Sequence, residues 1–216
     1  MFLSKKEKNK KIIGIIISIL IIFIGALFIY IDYENKVEEE KKNEILMESF
    51  FENEDNKSVN KEIVDDEIDI KEENDDKKEN NIIISEDYMF VLEIPKINLK
   101  RGVFSKTSRN NNVNKNIQIL EESNMPDEEK GNVILAGHSG NSYVSFFKNL
   151  EKLNNGDIAY IFYNGNKFSY RLVNCYEIEK TGFANIIRNQ EKETLTLITC
   201  KHNSNKQYIF IFELEK

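Results

Sequence analysis

The chain has 216 residues, enough for one ordinary domain plus extra segments, and its 30 Lys and Arg against 37 Asp and Glu leave a net charge of −7. Apart from lysines close to the N-terminus, no basic patch interrupts this acidic balance, so nucleic acid is not an expected partner. With two cysteines and two histidines in the whole chain, thiol and imidazole chemistry is confined to very few positions.

Five lysines (Lys5, Lys6, Lys8, Lys10 and Lys11) precede an apolar run from Ile12 to Ile31 that carries no charge. About twenty apolar residues suffice to cross a bilayer core as a helix, whereas the apolar part of a secretory signal spans roughly 7–15. No small-residue cleavage site follows, because Phe28, Ile29, Tyr30 and Tyr33 are bulky, and a buried soluble helix of this length would carry a polar stripe. The reading is a basic tail (residues 1–11) and a transmembrane anchor (12–31). Lysines before the run and Asp32, Glu34 and Glu38 after it place the N-terminus in the cytoplasm and the remainder outside.

Residues 32–81 are rich in Glu, Asp, Lys and Asn, and between Glu34 and Asn80 there is neither glycine nor proline. Their apolar residues are too few to offset ordering entropy, which predicts an acidic, largely disordered stalk with transient helix.

Residues 82–216 have the size of one compact core. Tyr88 to Ile94 predicts a strand that Pro95 ends, and Asn132 to Ala136 a buried strand running into Gly137 and His138. Val144, Phe147 and Leu150 have helical spacing, which predicts a short helix within Tyr143 to Leu153. Asp157 to Tyr163 and Lys167 to Ile178 flank Asn164-Gly165, a hairpin signal of type I′. Thr194 to Thr199 and Tyr208 to Leu214 alternate and should be neighbours. Many short strands with one helix predict a mostly β fold, an antiparallel sheet that closes into a small barrel.

Period two places Leu195 and Leu197 on one face of their strand, and Thr196, Ile198 and Cys200 on the other. With the leucines in the core, Cys200 projects from the outer wall at a strand end, where a thiol is exposed to substrate. The competing reading is an inert buried cysteine, which is also the default for Cys175; a Cys175–Cys200 disulfide would silence the thiol. His138 lies in a turn at another strand end and is the better partner for Cys200 than His202, which would need a local turn. On its own, a loop histidine reads as a solvated surface residue.

Leu195-Thr196-Leu197-Ile198-Thr199-Cys200 resembles the TLxTC motif of sortases, and Leu135-Ala136-Gly137-His138 resembles the segment holding their catalytic histidine. Leu92 to Leu99 is similar to the opening strand and turn of that domain, and Phe146 to Leu150 with Gly156-Asp157 to its helix and following turn. In the family's order, these cover almost all of Tyr88 to Leu214. The resemblance implies a membrane-anchored cysteine transpeptidase on an eight-stranded β-barrel with one or two short helices, on the outer face of a Gram-positive-type cell, class D-like or class B-like.

Within that resemblance, Cys200 attacks the threonine carbonyl of an LPxTG-like C-terminal sorting signal of a secreted protein. The thioacyl intermediate is then resolved by an amine from a peptidoglycan precursor or a pilin lysine. His138 would supply a cation to the thiolate and protonate the leaving amine, and Thr199 would adjoin the substrate. No cofactor or metal is implied, and no acidic cluster in the barrel has Ca²⁺-loop spacing.

The family's third catalytic residue is an arginine on the strand after the cysteine, yet no arginine follows Arg188 here. Tyr208, Phe210, Phe212 and Leu214 form the core face of that strand, which leaves Gln207 on the groove face in the arginine position. A side-chain amide can donate to a developing oxyanion without arginine's charge. Lys206 and Arg188 are within reach as compensating cations. In the loop from Lys180 to Glu193, the apolar Phe183, Ile186 and Ile187 form a seat for the signal's leucine and proline, or else pin the loop to the barrel. Two other readings remain open: an impaired sortase-like domain that only binds signals, and a cysteine hydrolase on the same fold.

Overall fold

The computed structural model describes residues 5–61 and 87–215. Residues 62–86, which hold the second half of the predicted stalk and the start of the predicted barrel domain, lie outside the described residues. Two compact units are present, Met1–Lys41 and Lys42–Lys216.

Helix α1 runs Lys5–Lys61. In the first unit it carries Ile12 to Ile31, whose large apolar side chains are exposed on every side. A stretch this long and apolar is sufficient to cross a membrane. Its one serine is satisfied internally, Ser18 Oγ donating to the Gly14 carbonyl at 3.0 Å.

The second unit is built on one eight-stranded sheet: β1 (Tyr88–Ile94), β2 (Leu99–Phe104), β3 (Gln118–Ile119), β4 (Asn132–Ala136), β5 (Ile158–Tyr163), β6 (Asn166–Glu179), β7 (Thr194–Cys200) and β8 (Lys206–Leu214). The order is β2-β1-β5-β6-β8-β7-β4-β3, and the edge strands β2 and β3 touch, so the sheet nearly closes. Asn164 and Gly165 both take positive φ (49° and 72°), as the type I′ turn between β5 and β6 requires. The inward residues form one core, including Phe90, Leu135, Phe147, Leu195, Leu197 and Phe210.

The structure departs from the sequence expectations at four places. First, β4 and β7 are parallel, whereas an antiparallel sheet was expected; β5 and β6 intervene in sequence but join the other side of the sheet, which supplies the long crossover a parallel pair needs. Second, the short helix expected within Tyr143 to Leu153 is a series of turns ending in a 3₁₀ turn, Leu150–Lys152, because Phe147 and Leu150 each drop fully into the core. Third, Cys175 is exposed. A bulge between Leu172 and Asn174 shifts the phase of β6, and from Val173 onward no residue of the strand is fully buried.

Fourth, the first half of the predicted stalk is helical as far as Lys61. Leu46, Met47, Phe50 and Phe51 share one helical face and cover Tyr88, Val91, Phe104 and Phe162 on the outer wall of β1, β2 and β5. Polar contacts fix the register: Asn43 Oδ1 accepts from Tyr88 Oη at 3.0 Å and from the Gly102 amide at 3.2 Å, and Glu54 accepts from the Gly165 amide. Four apolar side chains meeting a waiting patch supply the burial that composition alone did not reveal. Glycine is needed at position 102, where a Cβ would lie 1.9 Å from the Tyr88 ring.

Candidate active site

Strand register assembles the site. In the parallel β4–β7 pair Ala136 lies opposite Ile198, so His138 and Cys200, each two residues further, emerge at the same end of the barrel. The pairing continues past the strand ends: the Gly137 amide donates to the Ile198 carbonyl at 3.2 Å, and Ser139 Oγ to the Cys200 carbonyl at 2.5 Å. In the antiparallel β7–β8 pair Cys200 lies opposite Gln207, and in β6–β8 Gln207 lies opposite Ile178. Cys200 is half-buried and free, so its thiol is accessible.

The turn that carries His138 is held by packing. A Cβ at Gly137 would sit 2.8 Å from the Phe147 ring, and the Phe147 amide donates to the His138 carbonyl at 2.9 Å. Thr199, expected to adjoin substrate, is instead turned inward and buried, its hydroxyl donating to the Gly137 carbonyl at 2.8 Å. It therefore ties the cysteine strand to the histidine turn. His138 Nε2 lies 3.0 Å from Asn114 Oδ1, an interaction that no feature of the sequence signals. Asn114 is positioned by its loop, which the buried Arg101 anchors through Asn116 Oδ1 at 2.8 Å.

A groove of about 870 Å³ runs along the outer face of β4, β7 and β8. Its floor includes Ile134 and Ile198, which belong to a buried cluster with Ile209 and Ile211, and its far wall is the β6–β7 connection. Phe183 and Ile186 line it, whereas Ile187 does not and is exposed, its amide donating to the Tyr176 hydroxyl at 2.7 Å. Cys200 and His138 are not among the lining residues; Gln207, which lines the groove, is the cross-strand neighbour of Cys200.

The cations near the rim differ in what they hold. Lys201 and Lys206 both engage Glu177, the latter at 3.3 Å, and Lys201 first, then Lys206, hold the Glu177 carboxyl below the usual range. Arg188 Nη2 donates to the Lys130 carbonyl and Nη1 to those of Asn189 and Lys192, each at 3.2 Å, so it braces its own loop. Neither of the expected compensating cations turns to the thiol. Lys180, which sequence reading passed over as a loop residue, places Nζ 3.5 Å from Cys200 Sγ. Partial burial, and then Glu177, hold the Cys175 thiol above its ordinary range.

Comparison with known proteins agrees with this geometry. Residues 92–215 match the model of the Sortase domain. The chain is 30% identical over 124 residues to Sortase D of Bacillus subtilis, covering 55% of this chain and 60% of that protein. It is 28% identical over 126 residues to Sortase A of Bacillus anthracis, covering 57% and 58%. The chain thus spans about three-fifths of the length of these curated relatives. Among solved structures, a Clostridium perfringens Sortase D5 transpeptidase superposes with a TM-score of 0.52 at 26% identity, over 60% of this chain and 80% of that one.

Proposed function

Since the chain belongs to the sortase family, we propose that it is a membrane-anchored cysteine transpeptidase acting on secreted proteins that end in an LPxTG-like sorting signal. The observation that carries this reading is the parallel β4–β7 register, which brings Cys200 and His138 to one rim beside an apolar groove. Cys200 Sγ attacks the carbonyl of the signal's threonine, and the amine fragment departs with a proton from His138. The thioacyl enzyme is then resolved by an amine held in place, from a peptidoglycan precursor or a pilin lysine; water is the competing acceptor. Gln207 donates to the oxyanion from the position where the family carries arginine. Phe183 and Ile186 seat the apolar part of the signal.

The same reading puts residues 1–11 in the cytoplasm, residues 12–31 in the membrane, and the catalytic domain outside, with residues 32–81 as the connection, part of it the helix that packs on the barrel. The full chain in detergent, incubated with an LPxTG-type peptide library, is expected to gain the mass of an N-terminal peptide fragment, and Cys200→Ala to gain none. An added amine should appear in the product. No adduct with any peptide, on a folded and reduced protein, would favour a domain that only binds signals. Product without amine incorporation would favour a hydrolase.

A further inference from the structure

On the assumption that the protein acylates at Cys200, we infer that Lys180 is a catalytic residue, the positive charge of a site whose β8 strand carries no arginine and whose Lys206 is engaged by Glu177. Tyr176, Ile178 and Lys180 share one face of β6 and its continuation by period two, and Tyr176 and Ile178 pack on the isoleucine floor of the groove. Lys180 is held in that phase, its amide donating to the Asn205 carbonyl at 2.9 Å one step beyond the Glu179–Lys206 pair. Across the sheet Ile178, Gln207 and Cys200 form a row, so the lysine stem reaches over β8, past Gln207, and sets Nζ 3.5 Å from Sγ.

The remaining charged groups near the rim leave this role to Lys180. Lys201 and Lys206 are held by Glu177, Arg188 by backbone carbonyls, and His138 by Asn114 on the opposite side. Glu122 lines the same groove, and among the described residues no ion pair joins it to Lys180. A lysine is a point charge on a flexible stem, suited to follow sulfur from thiolate to tetrahedral adduct. Throughout, Lys180 keeps its protons. The thiol proton leaves to His138, the Sγ–C bond forms as the C–N bond breaks, and His138 returns the proton to the departing amine.

The test is the pH–rate profile of iodoacetamide alkylation of the full chain in detergent, read by mass spectrometry on the peptide carrying Cys200, because Cys175 is exposed too. Lys180→Met keeps the stem and removes the charge, at a position on the protein surface where folding is not at stake. It is expected to slow alkylation at neutral pH by about tenfold. Gln207→Arg added to Lys180→Met should restore most of the loss by placing a guanidinium opposite Cys200. An unchanged profile in Lys180→Met would overturn the inference, as would failure of Gln207→Arg to restore any of the loss. Alkylation needs no sorting signal, so a wild type that reacts normally but accepts no peptide would count against the transpeptidase reading, while a slower Lys180→Met would still show that Lys180 activates the thiol.

Discussion

Strands β7 and β8 present two apolar faces that are equally buried and differently covered. Leu195, Leu197, Phe210 and Phe212 face inward and are at most 1% exposed, enclosed by every other strand of the barrel. On the outward face Ile198, Ile209 and Ile211 are also buried, but over them lie only partly buried side chains, Tyr176 and Ile178 of β6 with Ala184, Ile186 and Leu120. The cover itself is open, with Phe183 85% and Ile187 62% exposed. Burial of a residue therefore says less than what buries it: the inner face is closed by the strands of the barrel, and the outer one in part by a connection whose own apolar side chains are largely exposed.

The sharpest way to break this comparison is to truncate neighbouring residues of one strand on its two faces. Leu197→Ala should cost about 3–5 kcal/mol, because the surrounding strands cannot collapse into the cavity. Ile198→Ala should cost about 2 kcal/mol, since the loop bearing Ile186 can settle into the gap, while peptide acylation falls more than in any inner-face variant that still folds. Urea unfolding of both, with acylation of an LPxTG-like peptide as second readout, checks this. Equal stability losses would mean that the loop is as rigid as the barrel.

Gly137→Ala sits where the two faces meet. The new Cβ would press on the Phe147 ring, and overpacking of this kind costs about 1–3 kcal/mol. The strain falls on the turn that carries His138, so acylation should drop by more than the stability loss explains, and alkylation of Cys200 should change less than acylation does. Comparison of the two reactions on the folded fraction checks this. A variant whose acylation falls only in proportion to its folded fraction would show that the turn yields elsewhere.

Much of this layout was legible in the alternation of apolar residues. Leu195, Leu197 and Phe210 declared the inward face, so Ile198, Cys200 and Gln207 had to face outward, and Asn164-Gly165 fixed the β5–β6 register. Spacing did not declare the parallel β4–β7 pair, because strand direction depends on where β5 and β6 go. Nor did it declare β2 and β3, one containing Lys100, Arg101 and Gly102 and the other only two residues long. The helix over β1 escaped a composition argument that averages four apolar residues into an acidic segment. Lys180 was within reach, since continuing the period from Tyr176 and Ile178 by one step puts it beside the thiol. It was hidden by the assumption that a strand stops where its apolar residues stop.

The smallest effect expected belongs to Glu177, on the exposed rim between those faces. Its carboxyl is held below the usual range by Lys201 and Lys206, so the contribution of these ion pairs is complete above the unfolded value, about pH 4.3, and fades as pH falls through the depressed folded value. Melting curves of wild type and Glu177→Gln should differ slightly at pH 6 and converge near pH 3; a gap that persists at pH 3 would assign the effect to something other than charge. The same variant probes the open face. Without Glu177, Lys206 loses its partner one residue from Gln207, and in a Lys180→Met background it becomes the nearest cation able to turn toward Cys200. Partial recovery of alkylation in Lys180→Met/Glu177→Gln over Lys180→Met alone would show that the rim needs a positive charge near the sulfur rather than a particular residue. No recovery would show that the path over β8 from position 180 is itself required.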